Sequence, residues 1–292
     1  MNMRKIHNSR KTPFPVMADM TVKMVRDYLK HKQSIIIPVG VIEQHGYHLP
    51  LKTDALQAEH ISCMIGKKTD ILVAPTMYQS FSGGDCPGTI NISPATMSLV
   101  ISDMLVSLVA QGFRNFYIFL NHGGSENDRA LDNALKLLLR TNPAFKNVLI
   151  ALLPAWKFGG PDGWKKALRE GDWHAGWLET SIVMALEPGL VRMNELARDS
   201  KEMCALMIKH PDNYQHARKI VDDECVIAKM GQRPDVKIGV MGFPERASRA
   251  LGKKIVADIV AAASRKINEI EKKADGIYRE VAFKPEPLML ET

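Results

Sequence analysis

Three segments of the chain carry imidazole side chains, the first and third together with carboxylates, and the first two segments follow apolar runs. Their acidic and imidazole members, in chain order, are Glu43, His45, His48, Asp54, His122, His174 and Glu179. Carboxylate and imidazole together are the ligands that zinc, iron and manganese accept. One Glu-x-His pair in a loop is usually an ordinary surface pair, whereas histidines at two strand ends indicate a built site. The residue types therefore predict a metal centre.

The elements that must position these side chains read as a regular alternation of short apolar strands and amphipathic helices. Periodicity and glycine or proline breaks predict strands at 34–39, 71–74, 115–120, 148–153 and 237–240, and helices at 21–30, 56–67, 95–112, 126–139, 178–186 and 247–280. This order is typical of parallel βαβ units. We predict an α/β fold, a layered sandwich whose mainly parallel central sheet is flanked by helices. Ligands in open sheets bind beyond the carboxyl ends of strands, where the segments 43–54 and 121–124 lie.

The chain reads as a single domain over residues 1–292 with three peripheral parts. We predict a lead-in at residues 1–15 and a helical insertion or lid, rich in charge and methionine, at 194–230. Residues 247–292 form a C-terminal helix and an extended tail. A long loop at 77–94 with several glycines and prolines has the length of a functional loop.

Composition excludes several classes of protein. The net charge of +7 comes from basic residues that are not interleaved with aromatic ones, so nucleic-acid binding is not expected. Neither a signal peptide nor an apolar run of about 18 residues is recognisable, so no membrane partner is expected. The four cysteines form no C-x-x-C pair, which argues against a zinc ribbon and suits a cytoplasmic location.

With these residues assembled, the sequence resembles the creatininase (creatinine amidohydrolase) family. Four segments carry the resemblance: VGVIEQHGYHLPLKTD at 39–54, CPGTINIS at 86–93, NHGG at 121–124 and HAGWLETS at 174–181. The resemblance implies an α/β hydrolase with two divalent metal ions, of which zinc is the first choice and manganese or iron the alternatives. It also implies a homo-oligomer, often a hexamer.

The resemblance further implies roles for individual residues. Glu43 and His122 would bind one ion, His45 the other, and Asp54 would bridge both, so that the ions share a hydroxide with a lowered pKa. His174 matches the position that passes a proton to the leaving nitrogen. His48 is expected to be structural or to support a ligand.

The sequence departs from the family pattern near the second histidine. Gly124 stands where the family has an acidic ligand, so either Glu126 or Glu179 must complete the second metal site, and Glu179 is preferred. Trp173 stands where creatininase has an acid, and no tyrosine follows His122, so creatinine is not the expected substrate. Trp156 matches a tryptophan that closes over substrate. The remaining candidates near the substrate are Trp173, Gly123, Gly124 and Cys86.

Three functions remain open from the sequence. The first is hydrolysis of a non-peptide C–N bond in a small cyclic amide or formamide. The second is C–C bond hydrolysis of a cyclic diketone, an oxidised cyclic polyol, at the same centre, since attack on a carbonyl begins both reactions. The third is a non-catalytic metal-binding assembly protein.

Overall fold

The computed structural model describes residues 16–274 and has a four-stranded parallel sheet at its centre. The strands are β1 (Ser34–Val39), β2 (Leu72–Val73), β3 (Asn115–Leu120) and β4 (Leu149–Pro154), in the spatial order β2-β1-β3-β4. In register, Ile35 lies between Leu72 and Phe116, and Phe116 pairs with Ile150. The predicted α/β class is confirmed.

Helices cover both faces of the sheet. They are α1 (Val22–Leu29), α2 (Thr53–Thr69), α3 (Pro94–Gln111), α4 (Ser125–Thr141), α5 (Trp164–Glu170), α6 (Trp177–Leu186), α7 (Lys201–Met207) and α8 (Arg249–Ala274). Helices α1, α3 and α4 pack on one face, and α2, α6 and α8 pack on the other. The result is a three-layer sandwich, as the strand and helix alternation predicts.

After their polar first residues, Ser34 and Asn115, the central strands are mostly apolar because both of their faces are buried. Ile35 and Ile37 belong to the core beneath α3 and α4, whereas Ile36 belongs to the core beneath α2 and α8. Each fully buried isoleucine stabilises the fold by about 1.5–3 kcal/mol relative to an exposed one. The strand predictions for 34–39 and 115–120 match the observed bounds of β1 and β3.

Helix α2 begins three residues earlier than its predicted start at 56. The backbone N–H and the hydroxyl of Thr53 both donate to the carbonyl of Pro50, at 3.0 and 2.7 Å, and this turn starts the helix. Asp54 therefore lies in the first helical turn rather than in a loop. In that turn its negative charge interacts favourably with the helix dipole. The spacing of apolar residues did not predict this turn, because it begins with the polar residues Thr53 and Asp54.

The segment 194–230 is not mostly helical, so that prediction is wrong. After α7 it forms an antiparallel hairpin of β5 (Gln215–Arg218) and β6 (Lys229–Gln232). These strands lack an alternation of apolar residues because they bury little surface, and backbone pairing holds them instead.

The strand predicted at 237–240 is also absent. The N–H groups of Lys237, Ile238 and Gly239 donate to the carboxylate of Asp199 at 2.6, 2.9 and 2.7 Å instead of to a neighbouring strand. Only the next residue, Met241, forms a β-bridge, with His174. The Asp199 carboxylate thus accepts the hydrogen bonds that a neighbouring strand would accept if 237–240 were a strand.

The predicted lead-in at 1–15 and the extended tail lie outside the described residues. The C-terminal helix is described over α8, from Arg249 to Ala274, and its predicted extension to 280 also lies outside them.

Within residues 16–274, helix α3 is long and apolar enough to cross a membrane by length and composition, contrary to the reading of the sequence. One face of α3, including Met97, Ile101 and Leu105, is buried in the core, while Leu99 is 66% exposed. A single core helix of this kind is weak evidence for a span. The absence of a membrane partner stays a prediction.

Candidate metal centre

The predicted ligands come together at the carboxyl end of the sheet. Glu43 and His45 lie in the loop after β1, and His122 lies two residues after β3. Asp54 is placed by the first turn of α2, and Glu179 by the first turn of α6. All five residues are at most 7% exposed. Five side chains from distant parts of the chain therefore share one buried site.

Asp54 lies between the two histidines. Its Oδ1 is 3.4 Å from Nε2 of His45, and its Oδ2 is 2.9 Å from Nδ1 of His122. Glu179 Oε2 lies 3.7 Å from Nε2 of His45, and Glu43 Oε1 lies 3.3 Å from Nδ1 of His122. One carboxylate oxygen thus faces each imidazole, which is the arrangement that a bridging ligand needs.

One ring nitrogen of each histidine at the site lies against a backbone carbonyl, and this holds for His45, His122 and the neighbouring His174. Nδ1 of His45 is 3.2 Å from the carbonyl of Glu43, Nε2 of His122 is 3.1 Å from that of Phe81, and Nε2 of His174 is 2.7 Å from that of Gln44. Because a carbonyl can only accept, these nitrogens carry the proton. The other ring nitrogen faces the carboxylates. Once it has lost its proton, its lone pair can bind an ion, as in metal-bound histidines.

The donor atoms fit divalent metal ions. Two compact sets share Asp54, namely Glu43 with His122 and His45 with Glu179, and the atoms of each set lie within 4.8 Å of one another. Ligands of one tetrahedral ion at about 2.0–2.1 Å lie roughly 3.3 Å apart. Nε2 of His45 is buried and has no hydrogen-bond partner among residues 16–274, which is a costly state unless an ion binds it.

Glu179 rather than Glu126 lies with the ligands. Glu126 is exposed at the rim of the adjoining cavity, whereas Glu179 is buried and accepts the N–H of Ala175 at 2.6 Å. A Cβ atom on Gly124 would lie only 2.6 Å from Nε2 of His122. A side chain at 124 would therefore displace that imidazole. The donor set of His45 and Asp54 therefore takes its second carboxylate from α6.

Burial and the carboxylates set the protonation of the cluster without metal. Burial opposes charge on His45, but Asp54, Glu179 and Glu43 raise its pKa to about 10. The pKa of His122 also lies well above its usual value despite burial, because of Glu43 and Asp54. Burial raises the pKa of Glu179 to about 8. At pH 7 the metal-free cluster therefore holds three protons, on His45, His122 and Glu179.

We expect metal-free protein to lose stability as the pH rises from 6.5 toward 10. A histidine with a raised pKa in the folded state stabilises the fold fully below its unfolded pKa, and this contribution is lost as the pH rises through about 10 for His45. The raised pKa of Glu179 acts in the same direction between 4.5 and about 8. Zinc-loaded protein should instead gain stability as the pH rises, because zinc binding releases these protons.

Thermal unfolding between pH 6.5 and 9, with and without chelator, measures both trends. A metal-free midpoint that rises over this range would contradict the assigned protonation.

A cavity of about 410 Å³ opens above the cluster. Glu43, Asp54, His122, His174 and Glu179 are among its lining residues. The remaining wall is partly aromatic, and its predicted members are Trp156, Trp173, Gly123 and Gly124. The volume suits a small organic ligand.

Cys86 does not line the cavity. Its thiol contacts the side-chain amide of Gln232 at 3.4 and 3.8 Å, and Gln232 itself lines the cavity. Sequence reasoning missed Gln232 and also Tyr214 and Asp212, which come from the hairpin and the turn before it. The segment read as a possible lid therefore forms part of the cavity wall. Its exposed, polar strands offered no sequence signal for this role.

Gln44 and His48 contact residues next to the predicted ligands, and Gln44 also lines the cavity. The side-chain amide of Gln44 donates to the carbonyl of Gly239 at 3.3 Å and lies 3.1 Å from His174 Nε2. His48 is buried, and its Nε2 lies 3.1 Å from the hydroxyl of Thr180. It belongs to neither donor set that shares Asp54, which agrees with a structural or supporting role.

Comparison with known proteins places the chain in a family. The model of the family described as "Creatininase: Creatinine amidohydrolase" matches residues 18–267. The chain is 26% identical over 254 residues to the mycofactocin precursor peptide peptidase of Mycolicibacterium smegmatis, covering 83% of this chain and 87% of that protein. It is 27% identical over 177 residues to the creatinine amidohydrolase of Pseudomonas putida, covering 56% and 67%.

A solved structure described as "Creatininase Mn" superposes with a TM-score of 0.69 at 21% identity, over 88% of this chain and 98% of that one. At this identity the likeness supports the fold alone. The family match covers most of the chain, and the residues that could hold metal are assembled in one buried site. The chain belongs to the creatininase family and is a divergent, metal-dependent hydrolase on its α/β fold.

Proposed function

We propose that this protein hydrolyses the C–N bond of a small amide, a cyclic amide or a formamide, with two divalent ions. The observation that carries the proposal is the pair of donor sets sharing Asp54 at the floor of the cavity, with His174 beside them. An N- and O-donor set of this kind accepts zinc, manganese or iron. Assembly into a homo-oligomer stays a prediction.

In this mechanism Asp54, Glu43 and His122 would hold one ion, and Asp54, His45 and Glu179 the other. When bound, such ions acidify water and polarise a carbonyl. His174 keeps its Nε2 proton against the carbonyl of Gln44, and its free Nδ1 lies 3.6 Å from Glu43 Oε1.

In the metal-free protein, burial and the charge of His45 lower the pKa of His174 to about 4, so His174 is neutral at pH 7. Its Nδ1 can accept a proton from the attacking water and return it to the leaving nitrogen.

The charges around the cavity favour a neutral or cationic substrate. Among the described residues that line it, none is lysine or arginine, although the chain carries a net charge of +7. Glu126, Asp128 and Asp212 add negative charge at its outer part. These charges repel a carboxylate-bearing substrate.

We therefore expect a charge preference among matched formamides. N-formylputrescine (cationic) and N-formylbutylamine (neutral) should be cleaved with a kcat/KM roughly tenfold or more above that of 4-formamidobutanoate (anionic), about the effect of 1.4 kcal/mol. Amine release by zinc- or manganese-loaded protein measures the three rates. Faster cleavage of the anion would contradict the proposal.

The same assay separates the other functions. Lactams and cyclic diketones are assayed beside the formamides. A new amine from a formamide or a lactam indicates C–N cleavage, whereas cleavage of a cyclic diketone without an amine indicates C–C cleavage. A short peptide is included because the mycofactocin precursor peptide peptidase aligns over 83% of the chain. Absence of bound metal after purification without chelator would favour the non-catalytic assembly protein.

A further inference from the structure

Asp172 is a buried carboxylate whose hydrogen bonds in the described part of the chain go to backbone N–H groups near two of the site residues. It is 2% exposed. Its Oδ1 accepts the N–H groups of Trp177 at 2.9 Å and Phe243 at 2.8 Å, and its Oδ2 accepts that of Leu178 at 3.0 Å. Three backbone donors from two separate segments therefore converge on one side chain.

Two of these bonds hold the first turn of α6, which carries Glu179. The N–H groups of Trp177 and Leu178 are among those at a helix start that have no partner within the helix. Because Asp172 accepts both, it sets the position from which Glu179 points toward His45. The turn before α6 is unusual, since Ala175 has a φ of 52° and its N–H donates to Glu179 Oε2 at 2.6 Å.

The third bond holds the segment that pairs with His174. Met241 forms a two-way backbone bridge with His174, since its N–H donates to the His174 carbonyl at 2.8 Å and its carbonyl accepts the His174 N–H at 3.0 Å. Phe243, two residues later, is tied to Asp172. The carboxylate thereby connects the supports of His174 and Glu179.

Two glycines leave room for this carboxylate. A Cβ atom on Gly176 would lie 2.0 Å from Asp172 Oδ1, and one on Gly242 would lie 2.3 Å from it. Real Cβ atoms do not approach an oxygen so closely, so neither position accepts a side chain while Asp172 keeps its place. The close fit shows that the carboxylate is built into this turn.

We propose that Asp172 is a positioning residue for the metal ion held by His45, Asp54 and Glu179, and that it acts through Glu179. The inference rests on the proposed two-metal centre. The other donor set, Glu43 and His122 with the shared Asp54, comes from elements that Asp172 does not contact. Loss of the carboxylate should therefore weaken one ion selectively.

Titration of the full, metal-free chain with Co²⁺, followed by visible absorption, tests this proposal. Wild-type protein should bind two equivalents. Asp172→Asn should bind the first equivalent as wild type does and the second about 10- to 100-fold more weakly, the usual effect of losing a residue that orients a ligand.

Asp199→Asn is the matched control, because Asp199 also accepts three backbone N–H groups but holds the turn at 237–239 and not α6. This variant should keep both equivalents. A similar loss in both variants would mean a general effect on folding and would overturn the proposal.

Two equivalents bound with wild-type affinity by Asp172→Asn would also overturn the inference while leaving the proposed function intact. Wild-type protein that binds no Co²⁺ would contradict the proposed function itself, and the inference with it. If Asp172→Asn does not fold, Asp172→Ser, which keeps one acceptor oxygen, is titrated instead and judged by the same criterion.

Discussion

Asp54→Ala is expected to remove both divalent ions and nearly all hydrolysis while the chain stays folded. One oxygen of Asp54 faces His45 and the other faces His122, so the substitution removes a ligand from both donor sets. Lewis-acid activation supplies several kcal/mol to the reaction, so we expect a loss of at least about 10³-fold in kcat/KM. Elemental analysis and amine release measure the two effects.

Glu59→Ala on the same helix is the matched control for this prediction. Glu59 is not among the lining residues of the cavity, and its carboxylate accepts a hydrogen bond from the hydroxyl of Tyr78 at 3.5 Å. The control should keep its metal and its activity. An Asp54→Ala protein that retained two ions per chain, or that turned over at the wild-type rate, would remove Asp54 from the bridging position.

His174→Ala is expected to keep both metal ions and to lower kcat by about 10²–10⁴-fold, the usual contribution of a general acid–base residue. The imidazole lies beside the cluster, with its ring centroid 4.2 Å from that of His45, and its Nδ1 is the nitrogen without a carbonyl partner. Its loss should remove proton transfer without removing a carboxylate. Metal content and steady-state kinetics are measured on the same preparation.

His60→Ala provides the control, since His60 is not among the lining residues of the cavity and its Nε2 lies 3.6 Å from Glu187 Oε1. Its kcat should not change. Because His174 also lies within reach of Glu43 and His45, loss of one ion from His174→Ala would show instead that His174 is a ligand. Unchanged turnover would exclude it from the mechanism.

The apolar pattern was a reliable guide where an element is buried on both faces. Strands β1 and β3 were predicted at their observed bounds, because a strand buried on both faces shows a nearly continuous apolar run. The pattern failed at the hairpin β5–β6 and at 237–240. There the backbone is held by strand pairing at the surface or by the Asp199 carboxylate, and neither leaves a periodic trace in the residue types.

The same distinction applies to the metal centre. Glu43, His45 and Asp54 were recognisable because they lie in one motif that follows β1, and His122 because it lies in another that follows β3. The choice between Glu126 and Glu179 was not decidable from order along the chain. It depended on the path of α6, which brings Glu179 to 3.7 Å from His45 and leaves Glu126 at the cavity rim.

The amino-acid sequence alone determined the fold class, the ligand types and the expected chemistry of this chain, since these follow from local residue types and spacing. Only the tertiary structure showed that Glu179 lies beside His45, that Tyr214 and Gln232 line the cavity, and that Asp172 binds the backbone at the start of α6. Each of these depends on contacts between residues far apart in the chain. Such contacts are set by packing of whole elements, which no local pattern encodes.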